Sequence, residues 1–283
     1  MRLSLTIFDM DTPRHSNLSA RYGMDPGASA CSNLAVAAHV CGFPAKAMAL
    51  AARVRTMADN VSHAIARAPM YCECVNLAIL QRDTEWMERD GEVFFKIATE
   101  NGLAMWRAYA VGMQAWRILE SGRPVDSIEG FRRCIAELMA CSAHVRIQLY
   151  QVGLATALGR CGLVSEAIAI IDTALAESAT SGRRWFDAEM WRVRAELAAN
   201  ETSGCAEELV VDAFQRSLAI AREQRACAWE LRGAVGLARH WTKQGQRQRA
   251  RDLLTPVHAR FTEGFETVDL REAQALLRLL AST

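Results

Sequence analysis

The sequence predicts an all-α fold, a right-handed superhelical stack of about six helix pairs closed at its C-terminal end by a further helix. Three observations carry this. Apolar residues recur at helical spacing from about residue 26 onward, Ala and Leu dominate, and prolines number only 6 among 283 residues. Glycine-marked steps return at a fixed interval: Gly42 and Gly122 are 80 residues apart, and Gly122 and Gly162 are 40 apart. The final stretch, RFTEGFETVDLREAQALL (260–277), breaks the pattern as a closing element would. Self-similarity at a period near 40 marks an architecture in which each supersecondary unit buries its apolar face on its neighbours.

The elements follow in order. Residues 1 to about 20 read as the remnant of a preceding helix, loosely held, and residues 21–283 as the solenoid. If that upstream helix is missing, the first pair exposes an apolar face and predicts self-association through an open N-terminal end. The first hairpin turns at Gly42. The second turns at QRDTE (81–85), which supplies the punctuation without a glycine. Turns three, four and six lie at Gly122, Gly162 and Gly245, and the fifth at NETSGC (200–205).

Within the fourth hairpin the spacing is that of a tetratricopeptide-like repeat. Leu154, Ala155 and Leu158 precede Gly162, and Ala167, Ile171, Ala174 and Leu175 follow it. A small residue sits where two helices cross and a large one fills the groove beside it. Leu237, Ala238 and Trp241 before Gly245, with Ala250, Leu254 and Val257 after it, repeat the register. The third hairpin is degenerate, with Ser127 at the small position ahead of Phe131 and Ile135. Trp106 and Trp229 each lie 16 residues before a turn glycine, which predicts a shared packing role. The ending is read as a cap over 261–281. Asp269 and Glu272 form a capping box with Val268 and Ala273 as its staple, and Phe261 and Phe265 wedge into the open end of the stack.

Composition limits the function classes. Hydrophobic residues make up 51% and charged residues 23%, with a net charge of +1, so no global field draws the chain to nucleic acid or an anionic membrane. The run KQGQRQRAR (243–251) reads as a solvated turn, not a nucleic-acid patch. No window approaches a membrane span or a signal peptide. The nine cysteines, without a CxxC pair, predict free thiols and a cytoplasmic setting. Cys72 and Cys74 point about 200° apart on a helix and lack partners at i+3 or i+4, so no metal site is expected, and no cofactor.

The ending AFQRSLAIAREQRACAWELRGAVGLARHWTKQGQRQRARDLLTPVHARFTEGFETVDLREAQALL and the segment GRRWFDAEMWRVRAEL resemble the C-terminal tetratricopeptide region of large bacterial regulators. ARYGMDPGASACSNLAVAAHVCGFPAKAM (20–48) is similar to the same region, with Tyr22, Gly23, Asp25, Pro26 and Gly27 at its opening turn. In that family a class III cyclase or winged-helix domain comes first, a predicted ATPase module second and the repeats last. The chain carries no GxxxxGK[ST] phosphate loop, so the resemblance is to the sensor end alone, truncated or split from its effector domains.

The functional expectation is a non-catalytic interaction and sensing module with a protein or peptide partner or a small effector. A stand-alone adaptor acting in trans, or an enzyme with a site inside the superhelix, are the alternatives. Stacks of this kind bind on the concave face lined by the first helix of each pair. In that register Tyr109, Trp116, Arg192, Arg232 and Arg239 face outward as partner-binding candidates, since aromatic and Arg side chains anchor interfaces. A solvated helix face is their other reading. A Glu189–Arg192 pair at i, i+3 contributes only a few tenths of a kcal/mol if exposed.

Overall fold

The computed structural model describes residues 25–200 and 207–282. The N-terminal remnant, Tyr22 and Gly23 of the opening turn, and positions 201–205 of the fifth turn lie outside them. Thirteen α-helices occupy the described residues: α1 (Pro26–Val40), α2 (Pro44–Asp59), α3 (Ala64–Gln81), α4 (Thr84–Glu100), α5 (Ala104–Glu120), α6 (Pro124–Ala140), α7 (Ile147–Arg160), α8 (Val164–Ser181), α9 (Asp187–Ala199), α10 (Glu207–Glu223), α11 (Cys227–Lys243), α12 (Arg247–His258) and α13 (Val268–Ala281). They form six antiparallel pairs and a closing helix, as the period predicts.

The turns form where the sequence places them. Gly42, Gly122, Gly162 and Gly245 all adopt left-handed φ, between +79° and +92°, a conformation that only glycine enters freely. In the glycine-less second turn Arg82 takes that conformation instead, at φ 58° and ψ 32°. The small/large register holds: Ala167, Ile171 and Ala174 of α8 and Ala155 and Leu158 of α7 are fully buried. Ser127 is buried at the small position of α6, its hydroxyl donating to the Pro124 carbonyl at 2.7 Å. That local bond is what lets a hydroxyl occupy a crossing point without stranding a polar group.

The first helices of the pairs, α1, α3, α5, α7, α9 and α11, touch in sequence around an inner ring, and α11 returns to pack against α1. The even-numbered helices back this ring. Six pairs therefore complete one superhelical turn. Trp229 of α11 is fully buried at the seam, edge-on to His39 of α1 and to Phe186. The N–H of Lys46 donates to Glu263 at 3.0 Å, joining α2 to the segment before α13. Gly42 and Gly264 make close approach possible here. A Cβ on Gly42 would stand 3.0 Å from that of Cys227, and one on Gly264 only 2.2 Å from Pro44 Cγ.

Closure corrects three expectations. First, α1 has α11 against it, so the described part of the first pair does not present the uncovered face that was expected to drive self-association. Second, Phe261 is buried among the last pair and the closing helix and also reaches the first pair at Gly42, whereas Phe265 is 47% exposed beside His258. Third, Asp269 and Glu272 form no capping box. The N-cap is Thr267, whose hydroxyl instead donates to the Gly264 carbonyl. Both carboxylates are drawn inward to arginines, because a buried ion pair outcompetes a backbone cap that solvent can satisfy.

Candidate functional site

The inner ring encloses the lumen, and every first helix from α3 onward contributes to it. Leu80 comes from α3, Trp116 and Glu120 from α5, Thr156 and Arg160 from α7, Glu189, Arg192 and Glu196 from α9, Arg232, Val235 and Arg239 from α11, and Asp269 and Glu272 from α13. The inner chamber has a volume of about 170 Å³. A second chamber of about 310 Å³ opens from it between α7, α9 and α11, and the two share Thr156, Arg160, Glu196, Gly236 and Arg239.

The inner chamber is held by a network of arginines and carboxylates from elements distant in sequence. Arg232 is its hub. It donates to Asp269 at 2.7 Å, to Glu189 at 3.0 Å and to the carbonyl of Leu80, while its guanidinium lies 5.1 Å over the Trp229 ring. Arg192 makes a bidentate pair with Glu189, at 2.9 and 3.2 Å, and reaches Glu196 at 2.7 Å. Arg82 bridges Glu120 at 3.2 Å, Glu272 at 2.9 Å and Asp269 at 3.4 Å, and Arg239 takes the other oxygen of Glu272 at 2.9 Å. Planar guanidinium groups suit this work because one group spans two or three acceptors in fixed geometry. The left-handed backbone at Arg82 aims its side chain from the end of α3 across the lumen to α13. The helix C-cap residue thereby serves as a strut.

Burial would raise the Glu189 carboxyl, but Arg192 and Arg232 outweigh it and hold the group below the usual carboxylate range. Asp269 is likewise lowered, burial being overcome by Arg232 and Arg82. Burial and the nearby Arg232 push His39 down to about 4, so it is neutral at pH 7. Each of these three groups moves away from neutrality. A Cα-fixed, pre-paid set of charges of this kind can orient a ligand or report its arrival by exchanging partners.

Four of the five sequence candidates, Trp116, Arg192, Arg232 and Arg239, line this one chamber. Tyr109 does not. It is buried between Trp106 and Tyr150, with ring centroids 6.0 and 5.9 Å away. The outward-facing reading is corrected for Tyr109 and Trp116, which are 6% and 8% exposed, and for Arg192 and Arg232, whose side chains are 16% and 13% exposed. A solvated face is excluded for these four because ring closure buries the concave side. Arg239 alone remains open, at 48%. The Glu189–Arg192 pair is likewise buried, not at the surface. Arg82, Glu120, Arg160, Asp269 and Glu272 are further lining residues that the first-helix register did not single out. Only the missing glycine at Arg82 and the Asp-x-x-Glu spacing of Asp269 and Glu272 marked them in the sequence.

Cys72 and Cys74 are buried thiols. Cys74 donates to the Ala51 carbonyl at 3.5 Å and is pushed up to about 12 by burial, while Cys72 accepts from Asn76 at 3.7 Å. No cluster of three or more metal-ligating side chains occurs among the described residues. Nor is any described helix long and apolar enough to cross a membrane.

No protein-family model matches the sequence, and no curated protein matches it. Among solved structures, the chain is similar to the nearly identical TPR-like repeats of a Podosopora anserina protein described as a kinesin light chain. The likeness has 18% identity and a TM-score of 0.44, over 79% of this chain and all of that one. The superposition is loose, and the helix pairing itself defines the fold.

Proposed function

We propose that this chain is a non-catalytic interaction and sensing module whose receptor surface is the inner face of the closed helical ring. The supporting observation is that the ion network in the lumen joins α3, α5, α9, α11 and α13, so an occupant that exchanges partners with it acts on ring closure as well as on its own contacts. A sensing role needs that link between occupancy and a change of state. In the reading suggested by the resemblance of residues 20–48, 182–197 and 213–277, the module is cytoplasmic and binds a polypeptide or effector to regulate an ATPase tied to a cyclase or winged-helix output.

A photo-crosslinking side chain placed at Arg239, inside the lumen, and at Glu129, on the outer helix α6, tests this in cells expressing the chain. The reading expects a discrete polypeptide adduct from position 239 and none from 129, with an ATPase identified in that adduct by mass spectrometry. Adducts from 129 alone would move the receptor surface to the outer helices.

A further inference from the structure

The two luminal chambers differ in charge. In the inner one, five arginines (82, 160, 192, 232 and 239) face five carboxylates, Glu120, Glu189, Glu196, Asp269 and Glu272, so its wall is balanced. Among the described residues, the outer chamber is lined by three cationic side chains, Arg160, Arg239 and Lys243, against one carboxylate, Glu196. Glu196 is already engaged by Arg192 at 2.7 Å. Arg160 and Lys243 make no ion pair among the described residues, and Arg160 donates only to the Leu119 carbonyl, at 3.0 Å. His240 also faces the chamber, held by Glu207 at 3.0 Å. With the whole chain at a net charge of +1, this surplus is local.

The back wall of the same chamber is apolar. Val193, Leu197 and Phe214 are 2%, 5% and 1% exposed and close it off from the core. Its volume, about 310 Å³, falls at the small end of pockets that enclose organic ligands. A cationic mouth and an apolar floor together describe a ligand with an anionic head and a short apolar body.

We infer that the outer luminal chamber binds a small organic anion, a carboxylate or phosphate monoester with a short apolar portion, its charged group on Arg160, Lys243 and Arg239. This rests on the luminal reading of function and names its ligand chemistry. Arg239 ties the two chambers together, because it also holds Glu272 of the closing helix at 2.9 Å. An anion on Arg239 competes with Glu272, so occupancy is transmitted to the contact between α11 and α13.

The test is calorimetric titration of the full chain with hexanoate, phenyl phosphate, inorganic phosphate and the neutral hexanamide. Hexanoate or phenyl phosphate is expected to bind at least about ten-fold more tightly than hexanamide, and to weaken about ten-fold or more in Arg160→Gln, the scale of a charge-assisted hydrogen bond. Whichever of the two binds more tightly identifies the head group, and added salt should weaken both. Lys243→Gln, at an exposed residue without an ion pair among the described residues, gives a second variant should Arg160→Gln fold poorly. Arg132→Gln on the outer surface should change nothing. Equal binding of hexanoate and hexanamide, or binding that both luminal variants leave intact, overturns the inference. If no probe binds while crosslinking at position 239 still yields its polypeptide adduct, the anion assignment falls and the luminal reading stands.

Discussion

Replacing Arg232 by leucine removes the hub of the lumen and leaves Glu189 and Asp269 buried with fewer counter-charges. Breaking a buried pair from one side costs about 3–5 kcal/mol, because the stranded charge keeps its desolvation penalty. Each carboxylate retains one arginine here, Arg192 at 2.9 Å for Glu189 and Arg82 at 3.4 Å for Asp269, so the lower end, about 3 kcal/mol, applies. For a chain of this size that lowers the melting temperature by about 6–12 °C. The pH dependence gives an independent signature. Both carboxylates titrate below their unfolded values in the native state, so their contribution is complete above the unfolded value, near 4, and is lost as pH falls through the depressed one. The gap between wild type and Arg232→Leu is therefore widest at neutral pH and narrows below about pH 4. Urea denaturation followed by circular dichroism at pH 7 and at pH 3.5 measures both. A loss under about 1 kcal/mol at pH 7, or a gap that does not change with pH, refutes the buried-hub argument.

Phe261→Ala should cost about 3–5 kcal/mol in the same denaturation assay, while Phe265→Ala, at an exposed residue, should stay within about 0.5. Gly264→Ala combines a left-handed φ of +71° with a contact at 2.2 Å to Pro44 and should lose several times more than Gly162→Ala, whose φ is +80° but which faces open space. Equal melting temperatures for those two glycine variants would mean that the 259–267 segment does not press on the first pair. His39 is held neutral, with a folded value of about 4 against 6.5 unfolded. The unfolded chain therefore binds the extra proton, and wild type should lose up to about 1.4 kcal/mol of stability per pH unit on acidification from 6.5 towards 4. His39→Leu should flatten that slope in urea midpoints taken at pH 7, 5.5 and 4.5.

Much of the fold was legible because it is local and periodic. Turn glycines demand left-handed backbone, and four of them, with the polar steps at 81–85 and 200–205, counted the pairs. Small residues at Ala155, Ala167 and Ala174 placed the helix crossings. What could not be read was the closure, since it accumulates from a small rotation at each of six interfaces, no one of which is encoded as a motif. That explains the residues misplaced. Trp116, Arg192 and Arg232 were found by register, yet their burial depends on α11 meeting α1. Asp269 and Glu272 satisfy the spacing of a capping box, and only the tertiary approach of Arg82, Arg232 and Arg239 turns them inward. Arg82 itself was marked by an absence, a turn without its glycine, and the structure shows the side chain at that position serving the lumen.

The closed ring is the claim on which the site depends, and zero-length carbodiimide crosslinking of the monomer tests it directly. The chain has only three lysines, at 46, 96 and 243, so few products are possible. With the Lys46 N–H hydrogen-bonded to Glu263 across 217 residues of sequence, the closed ring predicts an intramolecular link from the Lys46 side chain to Glu263 or Glu266, reduced in Glu263→Gln. A monomer in which Lys46 links only to carboxylates of the first two helix pairs would contradict closure, and with it the buried network and the lumen.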